Sequence, residues 1–143
     1  MSESAERYYQ SILDQIAASP FVQSQELTHD SRGDFVLFIR GNIHFADGSR
    51  LHLRELTDTE TIVQRIAYVY HYQRADGALV FRYDNTAHYP GLPNAPHHKH
   101  DGGEENVVSA QAPDLAAVIR EIEDLLTTRS ETDQPSTPPE SPP

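Results

Sequence analysis

Ala5, Tyr8, Tyr9, Ile12, Leu13 and Ile16 recur at the spacing that lines one side of a helix, and Ser19-Pro20 ends the pattern. An amphipathic helix is therefore predicted over Glu3 to Ala18, with Ser2 or Ser4 as its cap. From Phe35 the period drops to two: Phe35, Leu37, Ile39, Ile43 and Phe45 fall on one side of a strand and Arg40, Asn42 and His44 on the other, across a break at Gly41. Ala46-Asp47-Gly48 reads as a hairpin loop. A loop of that length sets Ile43 against Leu51 and Gly41 against Leu53, so both strands keep their apolar residues together, with Glu55 on the same side and His52 and Arg54 on the open one. Thr57 to Ile62 leads to a strand from Gln64 to Arg74, and Ala75-Asp76-Gly77 repeats the hairpin. Its register predicts Tyr72 facing Val80, Tyr70 facing Arg82, Tyr68 facing Asp84 and His71 facing Phe81. Shorter strands are expected from Val22 to Thr28, before a turn at Asp30 to Gly33, and from Asn106 to Ser109. A last helix, opened by Pro113 with Ala112 or Gln111 before it, carries the stripe Leu115, Val118, Ile119, Ile122, Leu125 and Leu126.

These elements predict an α+β domain: a four- or five-stranded antiparallel sheet of two hairpins, with the N- and C-terminal helices packed on it. The 143 residues suffice for one hydrophobic core and no second domain. The domain is expected to occupy residues 1–126. From Thr127 to Pro143 the composition turns to Ser, Thr, Glu and five prolines, which is expected to be a disordered tail. No apolar run approaches the roughly 20 residues of a membrane span and the N-terminus is polar, so a soluble, cytoplasmic protein is expected. Without cysteine, any metal would have to be held by His, Asp and Glu alone.

The net charge of -11 argues against a general nucleic-acid binder. Its distribution changes that picture. Between Arg40 and His100 six acids stand against seven bases, and seven of the eight histidines lie there, so the acidity belongs to the ends of the chain. An acidic body with one basic face is compatible with that layout. The richest stretch is Phe81 to Asp101, FRYDNTAHYPGLPNAPHHKHD, with four histidines, the only lysine and three prolines. It starts as a strand and continues as a proline-stiffened loop, which is expected to carry His97, His98, Lys99 and His100 at its end.

The succession FADGSRLHLRE, then YVYHYQRADGALVFRYDNTAHYPGLPNAPHHKH, resembles the TumE-type toxin family of bacterial and archaeal toxin–antitoxin systems. The likeness is carried by Arg82-Tyr83-Asp84-Asn85 and by Pro96-His97-His98-Lys99-His100, and it covers roughly Phe35 to Ile122. It implies a small single-domain toxin with a translational or RNA-directed role and a cognate DNA-binding antitoxin as partner. A homodimer is left open.

Metal-free RNA cleavage needs a base for the 2′-hydroxyl, an acid for the leaving oxygen, and positive groups around the phosphorus. His98 and His100 are the acid–base candidates, Lys99 and Arg82 the phosphate-directed charges, and Tyr68 or Tyr70 a stacking or proton-donating ring. Asp84 is expected to orient a histidine or to pair with Arg82. Ribonuclease chemistry is thus expected without a cofactor. Two alternatives stand beside it. His97, His98 and His100, helped by His88 and by Asp84 or Glu55, offer N and O ligands for Zn, Mn or Ni in a metal-dependent nuclease or hydrolase. The same loop also suits a non-catalytic docking surface.

Overall fold

The computed structural model describes residues 1–86 and 95–133. Helix α1 spans Glu3–Ala17, seven strands follow as β1 (Val22–Arg32), β2 (Val36–Phe45), β3 (Arg50–Asp58), β4 (Gln64–Gln73), β5 (Leu79–Asp84), β6 (His98–Asp101) and β7 (Val107–Ser109), and helix α2 spans Leu115–Asp133. The strands form one antiparallel meander in sequence order. The class is α+β as expected, with seven strands in place of four or five. Ser2 Oγ accepts from the Ala5 amide 3.1 Å away and caps α1. Helix α2 begins at Leu115, two residues after Pro113, and Asp114 caps it: its Oδ1 accepts from Ala117 N at 2.8 Å. The helix continues through the first residues assigned to the tail; residues 134–143 lie outside the described residues.

Both helices pack on one side of the sheet, where Ile12, Ile16, Leu115, Val118 and Ile122 meet Leu37, Ile39, Ile43, Leu51, Leu53, Tyr70, Tyr72 and Phe81. The first hairpin has the predicted register, Ile43 opposite Leu51 and Gly41 opposite Leu53. The second does not. Val80 is an extra residue, a β-bulge: Tyr72 faces Phe81 and Gln73 faces Leu79, so Tyr70 meets Tyr83, His71 meets Arg82 and Val69 meets Asp84. One inserted residue reverses the faces of the rest of β5 relative to the predicted pairing. The row Tyr68, Tyr70, Tyr72, paired with Glu55, Leu53 and Leu51 of β3, is core, and the bulge puts Arg82 and Asp84 on the other side.

Tyrosine rings can enter a core when their hydroxyls find partners. Tyr70 donates to Glu55 Oε2 at 2.8 Å, Tyr72 to Ser49 Oγ at 2.8 Å and Tyr83 to Glu121 Oε1 at 2.5 Å. Tyr8 donates to Glu55 as well, tying α1 to β3. The apolar area of the rings is then removed from water with no hydroxyl left unpaired. Exposing Tyr68 or Tyr70, the two rings the sequence offered to RNA, would forfeit about 1.5–3 kcal/mol per ring.

Candidate functional site

The sheet face opposite the helices is polar, and the strand register builds it. Asn42, His52, His71, Arg82 and His100 stand directly opposite one another on β2 to β6. The adjacent row runs Arg40, Arg54, Val69, Asp84 and His98. Asp84, His98 and His100, from β5 and β6, form a buried cluster, each less than a tenth exposed. The segment expected to be the end of a loop is therefore a strand, paired on both edges with β5 and β7.

His98 Nε2 lies 2.9 Å from Asp84 Oδ1, and His100 Nε2 lies 3.9 Å from Asp84 Oδ2. On the far side of each ring Nδ1 meets a backbone carbonyl, Pro96 O at 3.0 Å for His98 and Glu104 O at 2.8 Å for His100. A carbonyl can only accept, so both Nδ1 atoms carry hydrogen and both Nε2 atoms are turned towards the carboxylate. For His98, acceptors at both nitrogens call for a second N–H, giving an imidazolium–carboxylate pair, or for a cation in its place.

Asp84 is furnished to keep its charge. Burial works against ionisation, but the Thr86 hydroxyl and amide, donating to Oδ1 at 2.5 and 3.0 Å, outweigh it together with His98 and Arg82 and hold the carboxyl below its ordinary value. Arg82 Nε lies 3.1 Å from Asp84 Oδ2. The contact is an ion pair without an aligned hydrogen bond, so this buried N–H lacks a directed acceptor. A further guanidinium nitrogen lies 3.9 Å from Glu104.

The other expected site residues are distributed as follows. Lys99 points to the helix side, where Nζ meets Glu121 Oε2 at 2.9 Å and lies over the Phe81 and Tyr83 rings. Burial alone would depress its ammonium; Glu121 and Tyr83 reverse that and raise it. Glu55 lies under α1 in the core, 1 % exposed, and does not reach the cluster. His97 turns away to Tyr68, its Nδ1 2.8 Å from the hydroxyl and its ring stacked on the tyrosine. Burial pushes the Tyr68 hydroxyl up to about 12, so near neutral pH it can only serve as a protonated group. His88 lies outside the described residues. Of the expected residues, Arg82, Asp84, His98 and His100 come together, while Lys99, Tyr68, Tyr70, His97 and Glu55 do not join them.

His71 and His52 enter beside the cluster instead. Alternation in β3 already puts His52 and Arg54 on the open side; only the Val80 bulge puts His71 beside Arg82. Burial depresses both imidazoles, helped by Arg54 and Arg50 for His52 and mainly by Arg82 for His71, where Glu104 acts in the opposite sense. Groups with lowered folded values make the unfolded chain take up protons first. Their contribution is complete above about pH 6.5, the ordinary histidine value, and is lost as pH falls through the lower folded values. Melting temperature measured downward from pH 7 is expected to drop first in this window for the native chain, and less for His52→Gln/His71→Gln.

The fold and site define a two-layer α+β protein whose open sheet face bears a buried aspartate–histidine cluster edged by arginine. The family model described as Toxin TumE matches residues 12–126. The chain belongs to the TumE toxin family. No curated protein and no solved structure matches it. Among the described residues, no helix is long and apolar enough to cross a membrane.

Proposed function

We propose that this protein is the toxin of a toxin–antitoxin pair and cleaves RNA on the open face of its sheet, with a cognate DNA-binding antitoxin as its partner. The observation that carries the reading is the row His71, Arg82, His100 on three neighbouring strands. Adjacent strands lie about 4.8 Å apart, so two imidazoles flank one guanidinium at a separation suited to the two sides of a single phosphodiester. One ring removes the proton of the 2′-hydroxyl as its oxygen attacks phosphorus, and the other protonates the departing 5′-oxygen; Arg82 offsets the charge that builds on the phosphoryl oxygens. Asp84 acts behind them, positioning Arg82 and His100. His98, nearly inaccessible and engaged at both nitrogens, is a positioning residue that holds Asp84.

A specific observation favours a second reading, metal-assisted hydrolysis. One ligand atom each from Asp84, His98 and His100 lies within 4.8 Å of the others. Both rings have Nδ1 pinned to carbonyls, the arrangement that leaves Nε2 for a metal. A Zn or Mn site would use Asp84 in the place given by the sequence to His97.

The test is induction in a bacterial host lacking the antitoxin, comparing the native chain with His71→Ala/His100→Ala and following growth and total RNA. Growth arrest with RNA fragmentation, both absent from the variant, is the expected result. Arrest with intact RNA, or fragmentation that survives the double substitution, overturns the assignment. With purified protein, cleavage abolished by a chelator and restored by Zn or Mn would select the metal reading.

A further inference from the structure

Two hollows on the open face are joined. One, of about 410 Å³, is lined by Asn42, Arg50, His52, Arg54, His71 and Arg82 among others. The second, of about 490 Å³, includes Phe38, Leu56, Ile66 and Val69 in its wall. Arg54 and Val69 belong to both, so a single groove passes from an apolar end to a cationic one that finishes at Arg82.

The cations of the groove are in excess. Of the carboxylates of this face, Glu26 is matched with His44, Asp84 with His98 and Arg82, and Glu104 with Arg82; Asp30 and Asp58, level with Phe38 and Val36, make no ion pair among the described residues and do not line the cationic hollow. Arg50 hydrogen-bonds only to the Gln73 side chain, at 2.7 Å, and Arg40, Arg50 and Arg54 make no ion pair among the described residues. The helix side is acidic, with Glu3, Glu6 and Asp14 on α1 and Glu121, Glu123 and Asp124 on α2. Acidic helices on one side and a cationic hollow lined without a carboxylate on the other direct a polyanion to this face.

We infer that the groove is the binding track for single-stranded RNA, with Arg50 and Arg54 holding consecutive backbone phosphates that lead to Arg82, and the Phe38, Leu56, Ile66 and Val69 hollow accepting an unstacked base. Guanidinium groups fit phosphate oxygens, and an apolar slot beside a phosphate track selects a strand whose bases are free to leave the stack, which a duplex does not provide. The inference rests on the RNA-directed reading of the site and names its substrate class. It adds residues that neither the acid–base row nor the aspartate cluster contains.

The experiment separates binding from cleavage. Affinity of a short fluorescein-labelled single-stranded RNA is measured by anisotropy across a salt series, using His71→Ala/His100→Ala so that the probe stays intact. Adding Arg50→Ala/Arg54→Ala to this background is expected to weaken binding on the order of tenfold, and to flatten the salt dependence by about 0.7 for each phosphate contact removed. Adding Arg7→Ala, a charge of the same sign on α1, is expected to change neither, and all variants are expected to melt alike because the replaced arginines are exposed. The duplex form of the same RNA should bind less tightly. Unchanged affinity and salt slope in the Arg50/Arg54 variant overturn the track, as does loss of antitoxin binding without loss of RNA binding, which would make the groove a protein interface. If the native chain leaves RNA intact yet binds it through these arginines, the track stands and the nuclease reading falls.

Discussion

Asp84→Asn is expected to lower RNA cleavage on the order of a thousandfold while the protein remains folded. The replacement preserves shape and removes charge. Its single carbonyl oxygen can still accept from Thr86, but the amide end no longer balances Arg82 or an imidazolium at His98. His98 Nε2 keeps an oxygen beside it but loses the negative charge that balances its second proton, and the carboxylate oxygen that positions Arg82 and His100 is gone. The measurement is cleavage of a model RNA by the purified variant, with proton NMR of the imidazole N–H groups as a second readout. The native chain should show a slowly exchanging His98 Nε2 proton, protected by a ring that is 2 % exposed, and the variant should lack it. Native-like cleavage from Asp84→Asn would remove the cluster from the mechanism altogether.

Gly41→Ala is expected to cost at least about 3 kcal/mol of stability. Gly41 holds φ +151 in the middle of β2, and a Cβ built there would lie 2.0 Å from the Glu26 carbonyl oxygen and 2.8 Å from Leu27 Cα on β1. Both obstacles are backbone, so no side chain can turn aside. Either β1 leaves the sheet or β2 abandons its conformation, and the ladder that sets the polar rows is disturbed with it. The urea midpoint should fall with little change in slope, and amide exchange should speed up first along β1. An unfolding curve within about 0.5 kcal/mol of the native one would show that the strands can separate locally without cost.

How much of this could be read from the residues differs from element to element. The first hairpin was legible because nearly every position agrees with its loop: Ala46-Asp47-Gly48 is the length that leaves Ile43 facing Leu51 and every charge but Glu55 outside. The second hairpin has the same loop chemistry and a similar alternation, yet Val80 inserts and shifts β5 by one position. Nothing local distinguishes the two, since valine is at home in a regular strand and in a bulge. The choice is made by the core, where Phe81 buries with the tyrosine row and the hydroxyls of Tyr70, Tyr72 and Tyr83 are met by Glu55, Ser49 and Glu121 from other elements. Likewise His98-Lys99-His100 has little intrinsic strand preference; it is held as a strand by ladders on both sides and by Lys99 reaching across to Glu121 on α2.

The pattern of the chain was therefore enough for the two terminal helices, the first hairpin, the α+β class, the toxin-family resemblance and the stretch in which Arg82, Asp84, His98 and His100 lie. These follow from periodicity, turn chemistry and motif, all of which act over a few neighbouring residues. Which of those residues share a face was settled only by the sheet. A bulge of one residue and the pairing of β6 between β5 and β7 joined His71, Arg82 and His100 in one row, set Asp84 behind them and turned Lys99 to the helix side, while the register of β3 with β4 put the tyrosine row in the core beside Glu55. The physical reason is the period of two in a β-strand: one inserted residue reverses every later side chain, and its free energy is decided by partners far away in sequence.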